Sequence, residues 1–273
     1  MAISSMDTLV AAMTASTAQQ LQYSKISVAS EGAGTFFDLF YTAGFPGAAS
    51  APAAASSGGT SHANGDAGSL VFTAAGVGQS SYLAGLSISC TVLGSFYLTD
   101  RLWACSGLST VNGATTTVTG MSNITRYSGG VGAEIWYVCL STPSAQSGST
   151  MTISYTNSSG VSGRTATVTL ASGTPPPTAG QCYPAQLQAG DVGVQSIQSV
   201  TNSSLSFTGG THGLLVARRL LSMAGSSSTA GTVLDGLQTG LQIIDDAACL
   251  SMIAMCSTTS TGFVLSSINI IQG

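Results

Sequence analysis

The sequence predicts a mainly β fold, a β-sandwich or jelly roll with a short amphipathic helix at its N-terminus. Short runs rich in Val, Ile, Thr, Tyr and Phe recur along the chain, and clusters of Gly, Ser, Asn and Pro separate them. Such runs are typical of strands joined by turns. Their regular spacing indicates a sandwich or a jelly roll. At 273 residues the chain is long enough for one large β domain or two smaller ones.

Residues 1–20 are predicted to form an N-terminal helix or arm. In the opening MAISSMDTLVAAMTAS, Ser4 and Asp7 have the S-x-x-D spacing of a capping box, which favours a helix over residues 4–15. The apolar positions predicted to share one helix face are Met6, Leu9, Val10 and Met13. The segment does not have the form of a secretion signal, because it lacks a basic start and places Asp7 ahead of its apolar positions. We therefore expect the chain to be made and used in a cytosol.

The remainder of the chain is predicted to be strands. The predicted strands cover residues 22–30, 35–41, 81–92, 95–104, 114–121, 133–142, 149–157, 164–171, 194–200, 204–208, 212–221, 248–258 and 263–271.

Two stretches interrupt the strand pattern and suggest how the chain is organised. Residues 43–68 are a run of small residues without periodicity, predicted to be an extended arm or an ordered surface loop. Residues 173–191 contain consecutive prolines at 175–177, which favour a stiff connector. This connector divides a β part at 21–172 from residues 192–273, which form either a second β-subdomain or strands that complete the first sheets.

The composition indicates a surface that is meant to be covered. Only 6% of the residues are charged, 44% are hydrophobic, and the mean hydropathy is +0.37. An ordinary soluble domain has about a quarter charged residues. A helical membrane span needs roughly 18 consecutive apolar residues, and the chain has no such run. A lipid-facing β-barrel is an open alternative, but we expect no membrane partner.

The cysteines and histidines do not form a recognisable metal motif. There is no C-x-x-C pair, and His62 and His212 are isolated from the cysteines, so we expect no metal or cofactor. In a cytosol the six cysteines are expected to be reduced and buried, although their even number would permit three disulfides. Both histidines have polar, Gly-containing neighbours, and His212, at the start of a strand, is predicted to lie at the surface or at an interface.

The stretch SFYLTDRLWACSGLS at 95–109 is the best candidate site, because it gathers Asp100, Arg101, Trp103 and Cys105 in a chain that has few charges. We predict a hairpin with strand 81–92, across Leu93. In this hairpin one face would carry Phe96, Leu98 and Leu102, and the other Tyr97, Arg101 and Trp103, with a shift near Asp100. Catalysis would need a second titratable group close by. We therefore expect Asp100, Arg101 and Trp103 to fix a corner or meet a neighbour.

The other charged residues do not indicate an enzyme. Asp245 and Asp246 are adjacent, so in a strand they would point to opposite faces, and they are predicted to form a turn. A calcium site there or at 235–237 is a minor alternative. Arg218 and Arg219 are expected to pair with acidic groups on a neighbouring chain or module. A net charge of −4 argues against binding nucleic acid through its phosphates.

Several phrases, taken in order, carry a resemblance to a known group of proteins. They are MAISSMDTLVAAM, YLAGLSISCTVLGSFYLTDRLWACSGLS, ISYTNSSGVSGRTATV, PAQLQAGDVGVQSIQSV and SSINIIQG. In this order the chain resembles uncharacterised virion structural proteins of tailed bacteriophages, over most of its length except 43–68. The resemblance supplies no catalytic motif.

The resemblance implies a place in a virus particle made in a bacterial cytoplasm. The expected role is a head decoration or cement protein that binds other virion proteins, the major capsid protein among them, and forms a homo-oligomer, with a trimer as our expectation. A tail, baseplate or fibre component is the first alternative. A carbohydrate-binding module or glycan hydrolase on a spike is the second, with Trp103 beside Asp100, or Trp136 beside Glu134, as its sugar site.

Overall fold

A small closed barrel lies at the centre of the structure and carries a β-sheet on each of two sides. The computed structural model describes residues 3–26, 34–91, 94–170, 176–225, 231–257 and 262–273. The prediction of a mainly β, sandwich-like fold with a short N-terminal helix is confirmed. Each predicted strand run contains an observed strand; the predicted positions 27–30, 92, 171 and 258 lie outside the described residues.

The strands are β1 (Gln19–Ile26), β2 (Phe36–Asp38), β3 (Gly44–Phe45), β4 (Thr60–Ser61), β5 (Ser81–Cys90), β6 (Gly94–Cys105), β7 (Thr115–Thr117), β8 (Ala133–Ser141), β9 (Ala145–Ser147), β10 (Thr150–Asn157), β11 (Arg164–Thr169), β12 (Gln181–Pro184), β13 (Val194–Thr201), β14 (Ser206–Thr208), β15 (Thr211–Gly225), β16 (Thr232–Asp235), β17 (Ile243–Ile244), β18 (Cys249–Cys256) and β19 (Phe263–Gln272). The helices are α1 (Met6–Thr14) and the short α2 (Arg126–Gly130), and 3-10 turns cover Leu39–Tyr41 and Ala55–Ser57.

The barrel forms because β6 and β15 are long enough to pair with several neighbours. In the seven-stranded sheet, pairing of β15 with β6 closes the ring β6-β15-β8-β12-β2-β18 and leaves β4 attached to β6. Sheet I has the order β16-β5-β19-β1-β3, with β17 also on β5. Sheet II has the order β11-β10-β13-β7. The closed ring itself has no unpaired edge, so among the described strands the unpaired edges lie on the two flanking sheets, on β4 and on the separate pair of β9 and β14.

Each layer has its own apolar core. The barrel interior contains buried Trp136, Val138, Leu215 and Ile253. Sheet I packs on the outside of β6, β15 and β18 through Leu83, Leu86, Ile268, Phe96, Leu98 and Met252, among others. Sheet II packs on the outside of β6, β8 and β15 through residues that include Ile153, Val168, Ile197, Ile135 and Val216. Successive side chains of a strand point to opposite faces. One set of side chains from the barrel strands therefore fills the barrel interior, and the other set packs against a flanking sheet.

The predicted hairpin between strands 81–92 and 95–104 is wrong. β5 lies in sheet I, where it pairs with β16, β17 and β19, whereas β6 lies in the barrel and pairs with β15, β18 and β4. The two strands therefore face each other across a core that includes Ile88 and Phe96. The chain passes between layers here because both strands present apolar side chains that must be covered.

The N-terminal helix forms, but with a different cap and a different buried face. Ser5 is the N-cap and makes a reciprocal capping box with Thr8, in place of the predicted Ser4 and Asp7. Leu9 and Ala12 are buried against Ala84 and Ile271 on the outside of sheet I. The three other predicted apolar positions, Met6, Val10 and Met13, are about half exposed.

The segment 43–68 is an ordered loop on the barrel, the second of the two forms predicted for it. β4 pairs with β6 at Trp103 and Ala104, and the Ser106 hydroxyl donates to the carbonyl of Pro52. It is therefore not an arm that extends away from its own chain. Most of its hydrogen bonds to the barrel come from backbone groups.

Strands on both sides of the 173–191 connector share the same sheets. β13 pairs with β10, β15 pairs with β6 and β8, and β19 pairs with β1 and β5. The connector itself supplies β12 to the barrel, while its residues 173–175 lie outside the described residues. In the described part of the chain, residues 192–273 thus complete sheets begun by residues 21–172.

Candidate functional site

Arg101 is paired inside the barrel with a carboxylate that the sequence analysis missed. Its Nη1 lies 2.7 Å from Oδ2 of Asp38, and neither side chain is exposed. Its Nη2 donates to the Tyr41 hydroxyl at 3.1 Å, and its guanidinium lies 4.1 Å from the centre of the Phe40 ring. Asp38 ends β2, and its other oxygen accepts from the Phe40 amide. Arg101 and Asp38 therefore form an internal ion pair, in which Nε of Arg101 has no hydrogen-bond partner among the described residues.

Asp100 points out of the barrel, because adjacent strand residues face opposite ways. Its Oδ1 accepts from Arg126 Nη1 at 3.0 Å and from the Cys249 amide at 2.8 Å. Arg126 also donates to the carbonyls of Arg101, His62 and Ala247, so one guanidinium holds β6, the 43–68 loop and the turn before β18 together. This arrangement fits the predicted corner. The predicted alternative, contact with a neighbour, does not fit side chains that are not exposed.

Trp103 lies on the opposite side of β6 from Arg101, not on the same face as predicted. The pairing of β6 with β15 skips Leu102, and this bulge reverses the alternation between Arg101 and Trp103. The indole is 1% exposed and donates from Nε1 to the Gly58 carbonyl at 2.8 Å. Trp136 is also buried, inside the barrel. Neither of the two tryptophans offers the exposed ring that a sugar platform needs.

The arginine pair has partners within the chain, while the predicted pairing with acidic groups on a neighbouring chain or module stays a prediction. Arg219 forms an ion pair with Glu134 and lies over the Tyr97 ring. Arg218 lies 4.0 Å from the centre of the Tyr127 ring. Both contacts are at least partly exposed, so they are weak by comparison with the buried pairs.

Every Lys and Arg side chain of the protein has an ion-pair, hydrogen-bond or aromatic-ring partner within its own chain. Besides the four arginines already described, Arg164 pairs with Asp191, and buried Lys25 donates to the carbonyls of Thr42 and Gly47. All six Lys and Arg residues of the sequence are among the described residues. The described surface therefore has no cluster of unpaired cations that could follow a phosphate backbone.

Both histidines are buried, so the predicted surface position of His212 is wrong. His212 is 0% exposed and stacks on Phe207, while its Nδ1 lies 2.6 Å from the Tyr137 hydroxyl. His62 packs edge-on against Phe40, and its Nδ1 lies 3.0 Å from Oδ2 of Asp66. Packing against aromatic rings explains both buried positions. The polar, Gly-containing sequence around each histidine gives no sign of this packing.

The cysteines and acidic turns carry structural roles among the described residues. Cys90, Cys105, Cys139, Cys182 and Cys249 are free and buried, as predicted, while the side chain of Cys256 lies outside the described set. Burial raises the pKa of the Cys105, Cys139 and Cys249 thiols to about 12, so they are poor nucleophiles at neutral pH. Oxygens of Asp235 and Asp245 accept backbone amides in their own turns, in agreement with the turn predicted at 245–246.

A cleft of about 380 Å³ opens at the mouth of the barrel beside the Arg101–Asp38 pair. Its lining includes Asp38, Tyr41 and Cys139, with Ile26 and Leu140 as apolar walls. The Asp38 carboxylate is already paired with Arg101, and the Cys139 thiol is protonated at neutral pH because burial raises its pKa. These groups do not form a nucleophile and base pair.

On β1, β5 and β19 the outer side of sheet I carries no charged residue among the described positions and has exposed apolar residues, whereas exposed Asp235 on β16 and exposed Asp7 on α1 lie at its border. On β1, β5 and β19 the outward positions are Gln20, Gln22, Ser24, Ile26, Ser87, Ser89, Phe263, Leu265, Ser267 and Asn269. Ser24, Leu265 and Ser89 form one row across the strands, and Gln20 donates to the Ser267 hydroxyl. Val233 on β16 and the exposed side of α1, with Met6, Val10 and Met13, border it. We call this set of residues the uncharged face.

The uncharged face has the properties of a protein-binding surface. Interface centres are depleted in charged residues and enriched in apolar and aromatic ones. A solvent-facing side of an antiparallel sheet normally carries polar and charged residues. Here Ile26, Phe263 and Leu265 lie about half exposed among Ser, Gln and Asn.

Two buried groups are expected to give the stability opposite dependences on pH. Burial, followed by the nearby Arg101 charge, lowers the pKa of His62 from 6.5 to about 4. The free energy of unfolding therefore falls as pH drops from 6.5 to 4, because the unfolded imidazole takes up a proton that the folded one does not. Burial raises the pKa of Asp100 from 3.8 to about 6, even with Arg126 beside it. Its protonation stabilises the fold over the same fall in pH, each effect being up to about 3 kcal/mol.

Single variants should separate the two effects. In His62→Gln the free energy of unfolding should rise as pH falls from 6 to 4, whereas in Asp100→Asn it should decrease from 6.5 to 4, with the wild type between them. Urea titrations at several pH values measure these slopes. Equal slopes in all three proteins would contradict the assignment.

Comparisons with known proteins assign no family to this chain. No protein-family model and no curated protein matches its sequence. Among solved structures it is similar to the VP2 subviral particle of infectious bursal disease virus, with 11% identity, 93% of this chain and 80% of that chain covered, and a TM-score of 0.25. The Gx and Gt strain structures of this virus give identities of 10% and 12%, the same coverages, and TM-scores of 0.24 and 0.20. The chain thus has a weak structural similarity to a virus particle protein.

In the part of the chain that the structure describes, no helix combines the length and apolar character that crossing a bilayer requires.

Proposed function

We propose that this chain is a structural subunit of a tailed-bacteriophage virion, and that it acts as a capsid decoration or cement protein. In this role it stabilises the head through contacts between subunits, with the major capsid protein and copies of itself as partners. The observation that carries the proposal is the uncharged face. The sequence resemblance to phage virion proteins supplies the kind of particle.

The distribution of charge supports assembly as the function of the surface. The buried ion pairs use Asp38, Arg101 and Asp100 within the chain, and Arg126 is largely covered as well. What remains outside is mostly Ser, Thr, Gln, Asn and apolar residues, which repel a second copy weakly. Contacts through such a surface depend on apolar burial and neutral hydrogen bonds.

The same distribution predicts how assembly responds to salt. Contacts between unpaired charges weaken as salt rises, because the screening length falls to about 3 Å at 1 M. Apolar contacts do not weaken in this way. The mass of the assembled species, followed by light scattering, should therefore be unchanged between 0.1 and 1 M salt (about a tenfold range of ionic strength). Dissociation at high salt would contradict assembly through the uncharged face.

Charge insertion into the uncharged face tests the proposal. Val233 and Val192 are both 64% exposed, but only Val233 borders the face. Val233→Lys and Leu265→Lys should reduce the oligomer, expected at about three times the 27.1 kDa of one chain, to monomer, whereas Val192→Lys should not. Burying an unpaired ammonium at a contact is costly, and at an open surface it is not. A wild-type chain that stays monomeric and fails to bind virus particles would overturn the proposal.

A further inference from the structure

Three side chains with metal-binding atoms meet where the 43–68 loop crosses the barrel. They are His62, just after β4, Asp66 in the following turn, and Cys249 at the start of β18. One potential ligand atom from each residue lies within 4.8 Å of the others. Cys249 is far from the other two in sequence, and docking of the loop brings them together. No sequence motif could therefore have indicated the cluster.

His62 presents Nδ1 to Asp66 in this cluster. Its side chain is 7% exposed, and Nδ1 lies 3.0 Å from Oδ2 of Asp66. Its Nε2 is buried and has no hydrogen-bond partner among the described residues. Because a neutral imidazole carries its proton on only one ring nitrogen, a proton on Nε2 leaves the lone pair of Nδ1 free for a cation.

We propose that His62, Asp66 and Cys249 bind a divalent zinc-like cation, with water in the fourth position. Imidazole, carboxylate and thiolate are the ligands that zinc prefers, and three protein ligands with one open position make a familiar site. In a tetrahedral site, metal distances of about 2.0 to 2.3 Å place the ligand atoms roughly 3.3 to 3.5 Å apart. Nδ1 of His62 and Oδ2 of Asp66 are already 3.0 Å apart, and the widest separation in the cluster, at most 4.8 Å, must shorten by up to about 1.5 Å.

The protonation states of the three groups suit such a cation. Burial keeps the His62 imidazole neutral at pH 7 by lowering its pKa to about 4. Burial raises the pKa of the Cys249 thiol to about 12, so the metal must displace its proton, forming a metal–sulfur bond and releasing one H⁺. The two anionic ligands then balance the charge of the cation. The nearby Arg101 and Arg126 are each already paired with an aspartate.

The ion would fasten the loop to the barrel. Asp66 is 37% exposed, which gives a route from solvent. Two ligands belong to the loop and one to β18, so a bound ion adds a further connection to the backbone hydrogen bonds and the Arg126 and Trp103 side chains that hold the loop on the barrel. This inference is independent of the virion role, because it concerns the folded chain alone.

Cobalt titration of the purified, reduced and chelator-treated full chain tests the site. Co²⁺ should bind with one equivalent per chain, give a thiolate-to-cobalt charge-transfer band and release one proton, and Zn²⁺ should displace it. Loss of an outer partner of a metal site costs about 10- to 100-fold in affinity. Loss of the ligand itself in Cys249→Ser should therefore weaken binding by more than about 100-fold and remove the band. Cys90→Ser, a buried cysteine in sheet I, should leave both unchanged.

Asp66→Asn provides a variant that does not disturb the interior, because Asp66 lies in a partly exposed turn. It should stay folded by circular dichroism, bind Co²⁺ more weakly, and lose the increase in melting temperature that zinc gives to the wild type. A folded wild-type chain that shows no thiolate band would overturn the proposal. A band that persists in Cys249→Ser would do the same.

Discussion

Replacing Arg101 with Ala is expected to lower the free energy of unfolding by about 3–5 kcal/mol, because it leaves the Asp38 carboxylate charged and unpaired inside the barrel. Asp38 is not exposed, so water cannot replace the guanidinium. The Tyr41 hydroxyl and the Phe40 ring lose a contact as well. Denaturant titration followed by circular dichroism measures the loss.

A matched arginine shows whether burial is the cause. Arg219 also pairs with a carboxylate, that of Glu134, but both side chains are partly exposed. Arg219→Ala should therefore cost less than about 1 kcal/mol. The double variant Arg101→Met with Asp38→Leu should recover most of the loss, because it removes both buried charges and fills their space. If Arg101→Ala and Arg219→Ala lower the free energy of unfolding by the same amount, burial of the Arg101–Asp38 pair is not the cause of the loss.

Trp103→Ala is expected to cost about 3–5 kcal/mol and to release the 43–68 loop from the barrel, because the indole fills the contact between them. Its ring nitrogen donates to the Gly58 carbonyl. Trp103→Phe keeps much of the ring packing but loses that hydrogen bond, and should cost about 1–2 kcal/mol. Limited proteolysis should cut within 43–68 faster in Trp103→Ala than in the wild type.

Two glycines give a control at the same loop. Gly59 and Gly65 both have positive φ, so Ala strains the backbone at either position. A Cβ on Gly59 would lie 2.5 Å from the Trp103 ring, whereas one on Gly65 would meet nothing within 4 Å. Gly59→Ala should therefore speed cleavage of the loop more than Gly65→Ala. Equal rates would show that Trp103 packing does not hold the loop.

The longer strands could be predicted from the sequence, whereas the strands with which they pair could not. Runs of β-branched and aromatic residues fix local extended structure. The hairpin prediction for 81–104 failed because a short connection can also carry the chain from one layer to the next, which is what happens between β5 and β6. The short strands β3, β4, β9, β12, β16 and β17 were missed because they depend on a neighbour that is distant in sequence.

The sequence indicated two residues of the candidate site but not the partners of these residues. Asp100 and Arg101 were found because charges are rare in this chain, but their partners, Arg126 and Asp38, are 26 and 63 residues away. The lone Asp38 in the apolar run TFFDLFY was a usable signal, since a carboxylate among buried strand residues needs a cation.

Periodicity alone could not predict which face of the N-terminal helix is buried. Its apolar residues lie on more than one side, so the pattern permits several faces. Contacts with Ala84 and Ile271 select the side with Leu9 and Ala12. The apolar residues that remain exposed became part of the uncharged face.

Electron cryo-microscopy of intact phage particles tests the role of the chain most directly. We expect density for the chain on the phage head, with the uncharged face, and Leu265 at its centre, buried against another subunit. Particles from which the chain is absent, or in which it is attached with this face open to solvent, would contradict the account.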